Sequence, residues 1–217
     1  DYLSDVSELS KSKNRDVAYN AAMALSRYGY AEGVADFIVR IENDKKYSFR
    51  LVNELFDTFS ADKAELAAMV FDKCEDYMKI NVIKAISEYR LSEFEPMYIE
   101  GMSSKNPAMR IACVKALGDL ANPENEQLLI TATYDKDWVV RSSAVKGLGK
   151  INTPKSLEGI KEAIKDKEWW VRQSAAGALI NRNVSVSDIE DILGGYDKYA
   201  SDAVKYALYR SIDMKEG

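Results

Sequence analysis

The side chains here that could do chemistry are two Asp–Arg pairs, three tryptophans, a spaced set of lysines and two cysteines. The chain has no histidine, so Ser-His-Asp and Cys-His catalysis and histidine-ligated metals are excluded. Cys74 and Cys113 do not make a disulfide framework or a zinc site. Asp135 precedes Arg141 by six residues, and Asp166 precedes Arg172 by the same six. A carboxylate and a guanidinium at that spacing could form an acid–base or anion-binding constellation. The two pairs recur 31 residues apart, which a structural ladder requires and an active site does not. The expected reading is therefore a ladder, in which each aspartate reaches across a turn and each arginine links neighbouring repeats. Trp138, Trp169 and Trp170 could stack bases, clamp a chromophore or anchor partner side chains, or they could cover an inter-repeat seam. Lys84, Lys115 and Lys146 recur at 31, as a solubilising row or as one wall of a groove for an acidic peptide or phosphate.

What must position these groups is set by the same period. Ala112–Gly118, Ser143–Gly149 and Ser174–Leu179 align, with closing leucines at 117, 148 and 179. Stepping back reaches Ile86, Leu55 and Leu25, and stepping forward reaches Leu208, at spacings of 30, 31, 31, 31, 31 and 29. Seven copies thus tile the chain as one expected solenoid, with repeats at about 1–29, 30–59, 60–90, 91–121, 122–152, 153–183 and 184–217. The residues eight, four and one before the closing residue are small or apolar in most copies, such as Val140, Ala144 and Gly147. They share one face of a helix and predict a buried stripe.

Turn signals keep the same beat. Asn122-Pro123 and Thr153-Pro154 read as an N-cap and first helical proline opening the first helix of a copy. Asn106-Pro107 opens a second helix, with Asp137 and Glu168 at the equivalent positions. Gly118 and Gly149 follow their closing leucines, where a left-handed stop is expected. Each copy is helix, turn, helix. Cys113 falls in the core slot of Ala144 and Ala175, and Cys74 falls in the first helix of the third copy.

Two rows lie away from the stripe. The lysines stand two residues before the closing residue. Six residues before it stand Tyr19, Phe49, Ile80 and Ile111, followed by Ser142 and Gln173. Four apolar residues in succession on a face expected to be wet suggest an interaction surface, with drift of the helix register as the competing explanation. Together with Trp170, the two rows predict one concave groove with an apolar floor and a lysine wall. Such a groove suits an amphipathic segment with acidic flanks.

Asp135-Lys136-Asp137-Trp138-Val139-Val140-Arg141 and Asp166-Lys167-Glu168-Trp169-Trp170-Val171-Arg172 resemble HEAT repeats, more narrowly the short HEAT-like repeats of the phycobilisome-lyase type. The signature pair is partial in the fourth copy, where Arg110 remains and Ser104 replaces the aspartate. Copies one, two, three and seven keep only the apolar pattern. The resemblance implies an all-α fold, a right-handed α-α superhelix of about seven helix pairs. It leaves function open, because such repeats serve many roles.

Charge narrows the choice. The formal net charge is −5; residues 1–109 carry 14 Lys/Arg against 19 Asp/Glu, and residues 110–217 carry 16 against 16. A dedicated DNA binder needs a basic excess. That argues against a HEAT-like DNA glycosylase, although tryptophans and arginines are present. A deoxyhypusine hydroxylase is excluded by its need for His-Glu iron ligands. A bilin-lyase-like enzyme and a structural assembly module stay open as alternatives. The expected function is a non-catalytic scaffold or adaptor for a protein or peptide, without cofactor or metal. No apolar run approaches the ~20 residues of a membrane span. The expected compartment is the cytoplasm, with a removed leader or anchor left open by a first residue that is Asp1 rather than Met.

Overall fold

The computed structural model describes residues 2–42, 49–182 and 184–216, with side chains described except at Phe49, Val186 and 211–216. Fourteen α-helices occur among the described residues, and no strand. They are α1 (Tyr2–Ser10), α2 (Arg15–Arg27), α3 (Ala31–Ile41), α4 (Phe49–Thr58), α5 (Lys63–Phe71), α6 (Asp76–Ser87), α7 (Glu95–Gly101) and α8 (Pro107–Leu120). There follow α9 (Glu126–Ala132), α10 (Trp138–Leu148), α11 (Pro154–Ala163), α12 (Trp169–Asn181), α13 (Val186–Leu193) and α14 (Lys198–Glu216). Short 3-10 turns at Ser92–Phe94 and Pro123–Asn125 lead into α7 and α9. These are the seven helix pairs of an all-α solenoid.

The chain divides into two compact units, the first ending at Glu93 and the second beginning at Phe94. In the first, the second helices pack in sequence, α2 on α4 and α4 on α6, while α3 packs on α5 in the layer behind. In the second, α8 packs on α10, α10 on α12 and α12 on α14, backed by α9 against α11. Each unit is therefore two helical layers with the apolar core between them.

The closing residues hold that core. Leu25, Leu55, Ile86, Leu117, Leu148 and Leu179 are each 0% exposed. Burying a leucine stabilises by about 1.5–3 kcal/mol, so this column alone is a large share of the driving force. Leu208, on α14, is half-buried. Small residues at the neighbouring positions bring helices close: Ala144, Ala175, Ala176 and Cys113 are all fully buried. Gly118 and Gly147 bring two helix backbones into direct approach, because a Cβ on Gly118 would lie 2.7 Å from the Gly147 Cα.

Helix starts follow the sequence signals. Asn106 Oδ1 accepts from the Ala108 N–H at 3.0 Å and Asp137 Oδ1 from that of Val139 at 2.8 Å. Asn122 caps the 3-10 turn before α9, and Thr153 forms a capping box with Ser156 at the start of α11. Glu168 occupies the equivalent cap position without a side-chain cap bond.

Helix stops do not follow the expectation. Gly118 lies inside α8, which runs on to Leu120, and Gly149 is right-handed with φ −60°. Left-handed backbone occurs at Gly29, Arg90 and Ala121 instead, each four residues after its closing residue. The second helices run up to a turn longer than the glycines suggested. Gly118 is needed for close approach, not for left-handed backbone. Cys74 likewise lies just after α5, in the turn before α6. Burial pushes its thiol and that of Cys113 up to about 12, so both are inert small hydrophobes at neutral pH.

Candidate functional site

The Asp–Arg pairs form a ladder that runs between repeats. Arg110 grips Asp135 with two parallel bonds, Nε to Oδ2 at 2.8 Å and Nη2 to Oδ1 at 2.9 Å. Arg141 grips Asp166 in the same way at 2.7 and 2.9 Å. Each guanidinium also donates through Nη1 to two carbonyls of the turn in its own repeat: Ser104 and Lys105 for Arg110, Asp135 and Lys136 for Arg141. Each aspartate in turn accepts the backbone N–H two residues on. The partner of each aspartate is thus the arginine 25 residues earlier, while the arginine six residues later takes its backbone carbonyl.

Burial alone would raise Asp135 and Asp166. The arginine bonds, the turn N–H and the arginine charge outweigh it, and both carboxyls are held below their ordinary value. Every charged atom in these rungs is engaged within the protein, so the Arg110 and Arg141 rungs have nothing left to offer a ligand.

A groove opens elsewhere, along α8, α10 and α12. Its volume is about 720 Å³, and its lining includes Lys115, Lys146, Lys150, Trp170, Gln173 and Asn181. The second-helix layer makes it in a regular way. The positions two before the closing residue are Lys115, Lys146 and Gly177, and those two after it are Asp119, Lys150 and Asn181; all six line the groove. Lys150 is paired with Asp119. Lys115 and Lys146 are exposed and make no ion pair among the described residues. At Gly177 a Cβ would meet nothing within 4 Å; the floor is open there.

Aromatic rings close one end. Trp170 is 58% exposed and stacks on Trp138, with centroids 6.5 Å apart and planes 23° apart. Trp169 meets Trp170 edge-on at 4.5 Å. The expected Trp138–Trp169 neighbours are therefore joined through Trp170, the residue that faces the groove. An amphipathic aromatic wall beside cationic side chains can hold an apolar side chain and its acidic flank at once.

The apolar row six before the closing residue does not form a groove floor. Ile80 is only 6% exposed, buried within the packing of α6. Tyr19 and Ile111 are half-buried, and the Phe49 side chain lies outside the described residues. The Tyr19 hydroxyl donates to Glu54 Oε1 at 2.9 Å on the next second helix, and Ser142 Oγ bonds Ser174 Oγ at 2.7 Å across the corresponding seam. Position minus six therefore faces the neighbouring second helix. A single-stripe reading of the wheel missed this, because an inner helix packs on its own first helix and on second helices at its flanks. Ile80→Asp would thus bury a charge and disturb the fold rather than a binding surface. Lys84 is exposed on α6 in the first unit.

Lys150, Asn181 and Gly177 were not singled out from the sequence. The signal was there in the 31-residue spacing of Asp119, Lys150 and Asn181, but polar residues just past a closing leucine read as turn. Arg182 was also missed. Its guanidinium bonds the carbonyls of Ile151 and Thr153, Ser156 Oγ and Asn152 Oδ1, and so pins the α10–α11 connection to the end of α12.

Comparison with known proteins adds the family. A family model described as HEAT repeats matches residues 95–181 and 125–212, together more than half of the chain. Three engineered proteins of the Northeast Structural Genomics Consortium resemble it in structure. One is 12% identical over 96% of this chain and 67% of its own, with a TM-score of 0.48. The others are 13% and 15% identical over 96% of this chain and 96% and 98% of theirs, with TM-scores of 0.39 and 0.40. No curated protein matches the chain. With two overlapping matches across the ladder and the groove, the chain belongs to the HEAT-repeat family.

Proposed function

We propose that the second unit is a non-catalytic peptide-binding module, and that the groove along α8, α10 and α12 receives an extended or helical segment with acidic flanks. One observation carries this reading: two unpaired lysines, Lys115 and Lys146, flank an open groove that ends on the exposed face of Trp170. Cationic side chains lying two residues before the closing leucine are no part of the core, so nothing in folding demands them. Solenoids offer their regular inner layer to long partners, and the tryptophan cluster supplies an anchor of the kind that dominates interface energetics. The fully engaged Arg110 and Arg141 rungs and the inert thiols support the non-catalytic reading.

The test is a panel of fluorescently labelled amphipathic peptides, acidic and basic, read by anisotropy. Acidic members should bind, with affinity falling as salt rises, and Lys146→Glu should weaken them by about 1–2 kcal/mol or more. A labelled single-stranded oligonucleotide is the control, since stacked rings and lysines also suit bases. Tight oligonucleotide binding with no peptide binding would overturn the reading.

A further inference from the structure

The ladder does not end where its aspartates end. Arg172 is the third arginine of the series, and its Nη1 donates to the carbonyls of Asp166 at 2.8 Å and Lys167 at 3.0 Å. These are the same two anchors that orient Arg110 and Arg141. The Nε/Nη2 edge should therefore be presented as theirs is, toward a carboxylate 25 residues on. That residue is Asp197, but it plays another part. The last repeat is two residues shorter than its predecessors, which places Gly195 thirteen residues before Leu208, where Asp135 and Asp166 stand before their own closing leucines. Asp197 moves to the helix start, where its Oδ1 accepts the Ala200 N–H at 3.0 Å. The Arg172 Nε is left buried without an acceptor among the described residues.

A buried guanidinium N–H without an acceptor keeps its full desolvation penalty, and here the surroundings suit an acceptor from outside. A cavity of about 400 Å³ adjoins Arg172, lined also by Lys165, Lys167, Asp166, Asp197 and Tyr199. The Tyr199 ring lies under the guanidinium, its centroid 5.3 Å from the guanidinium carbon. Asp166 is spent on Arg141, and Lys165 is paired with Glu162. A second cavity shares Arg172 and Tyr199 with this one and is lined also by Trp169 and Gln173, and Gln173 also lines the groove.

We propose that the unpartnered edge of Arg172 is a carboxylate site that takes an aspartate side chain of a bound peptide, completing the ladder with a residue from another molecule. The internal rungs define the ligand: a planar carboxylate taken bidentately, its second acceptor site satisfied by an N–H of its own turn. The proposal rests on the peptide-binding reading only for the identity of the occupant.

The intact chain, labelled with ¹⁵N, is titrated with acetate at constant ionic strength made up with chloride, following the arginine Nε–H resonances. The Arg172 signal should move saturably while those of Arg110 and Arg141, already bonded to carboxylates, stay put. The capped tetrapeptide Asp-Lys-Asp-Trp, copying residues 135–138, should bind about ten-fold or more tightly than its counterpart with Asn in first place. An uncapped C-terminal acid on the Asn peptide should not restore that difference. Shifts of the Gly195 and Tyr199 amides caused by the peptide should vanish in Arg172→Lys. An Arg172 signal that ignores acetate, or that responds only in Asp197→Ala because Asp197 closes the rung from within, overturns the proposal. Neither arm uses Lys146, so a failure here and a failure of the groove read separately.

Discussion

The two units solve the same problem with different bonds. Both stack helix pairs at nearly one period and bury three closing residues each to 0% exposure, Leu25, Leu55 and Ile86 in the first and Leu117, Leu148 and Leu179 in the second. The second unit adds bidentate Arg–Asp rungs between repeats, while side-chain caps occur in both, from Asn14 and Asp62 in the first and from Asn106, Asn122, Asp137 and Thr153 in the second. The first unit has no such rung among its described residues. Its repeats are tied by neutral or single bonds, such as Ser26 Oγ to the Leu55 carbonyl at 2.6 Å and the Tyr19 hydroxyl to Glu54. The comparison teaches that the apolar column is sufficient to build the repeat. The ladder is an additional device, fixing the turn of each repeat against the next, and in this chain it accompanies the groove.

The largest effect should separate column from ladder. Leu55→Ala and Leu148→Ala should each cost about 3–5 kcal/mol, read by chemical denaturation. If the column is the common element, the two costs agree within about 1 kcal/mol. A mild Leu55 variant would show that the first unit rests on something else.

Next comes Arg141→Ala, which strips Asp166 of its partner and two carbonyls of a donor; about 3 kcal/mol is expected. Asp135 and Asp166 are held below their ordinary pKa, so the unfolded chain binds more protons in acid. Ladder stability is therefore fully present above the ordinary carboxylate value of about 3.9 and is lost as pH falls from there through the folded values. Denaturation at neutral and acidic pH should show the difference between wild type and Arg141→Ala shrinking in acid. A constant difference would mean that the rungs are not ionic in effect.

Gly118→Ala should cost about 1–3 kcal/mol, because the added Cβ meets the Gly147 backbone. A neutral result, again by denaturation, would mean that α8 and α10 are further apart than described. The smallest effect belongs to the first unit, where Ser26→Ala removes a hydroxyl that bonds the Leu55 carbonyl and the Thr58 hydroxyl but leaves Thr58 Oγ1 donating to that carbonyl, for about 1 kcal/mol.

Much of this was legible in the sequence, for a physical reason. A repeat turns a three-dimensional packing rule into a one-dimensional period, so seven closing residues revealed fourteen helices. Asn106, Asp137 and Thr153 announced caps that depend on two or three neighbouring residues. The row through Ile80 was misread because its environment is set by the adjacent repeat, about 30 residues away, and not by the wheel of its own helix. The stop at Ala121 was invisible because alanine carries no signature of left-handed backbone. The groove was half legible: Lys115, Lys146 and Trp170 came from spacing and do line it. Gly177 and Lys150 gain meaning only once α8, α10 and α12 lie side by side.

Gly177 also gives the most direct test of the groove as a binding site. It is helical, and a side chain there meets open space, so Gly177→Ala and Gly177→Trp should both fold, the alanine variant more stable by up to about 1 kcal/mol. The measurement is the affinity of an acidic amphipathic peptide for the two variants and the wild type, side by side. The expected result is wild-type affinity for Gly177→Ala and a loss of at least about 2 kcal/mol for Gly177→Trp, with circular dichroism unchanged. Undiminished binding by a folded Gly177→Trp protein would contradict the groove as the site.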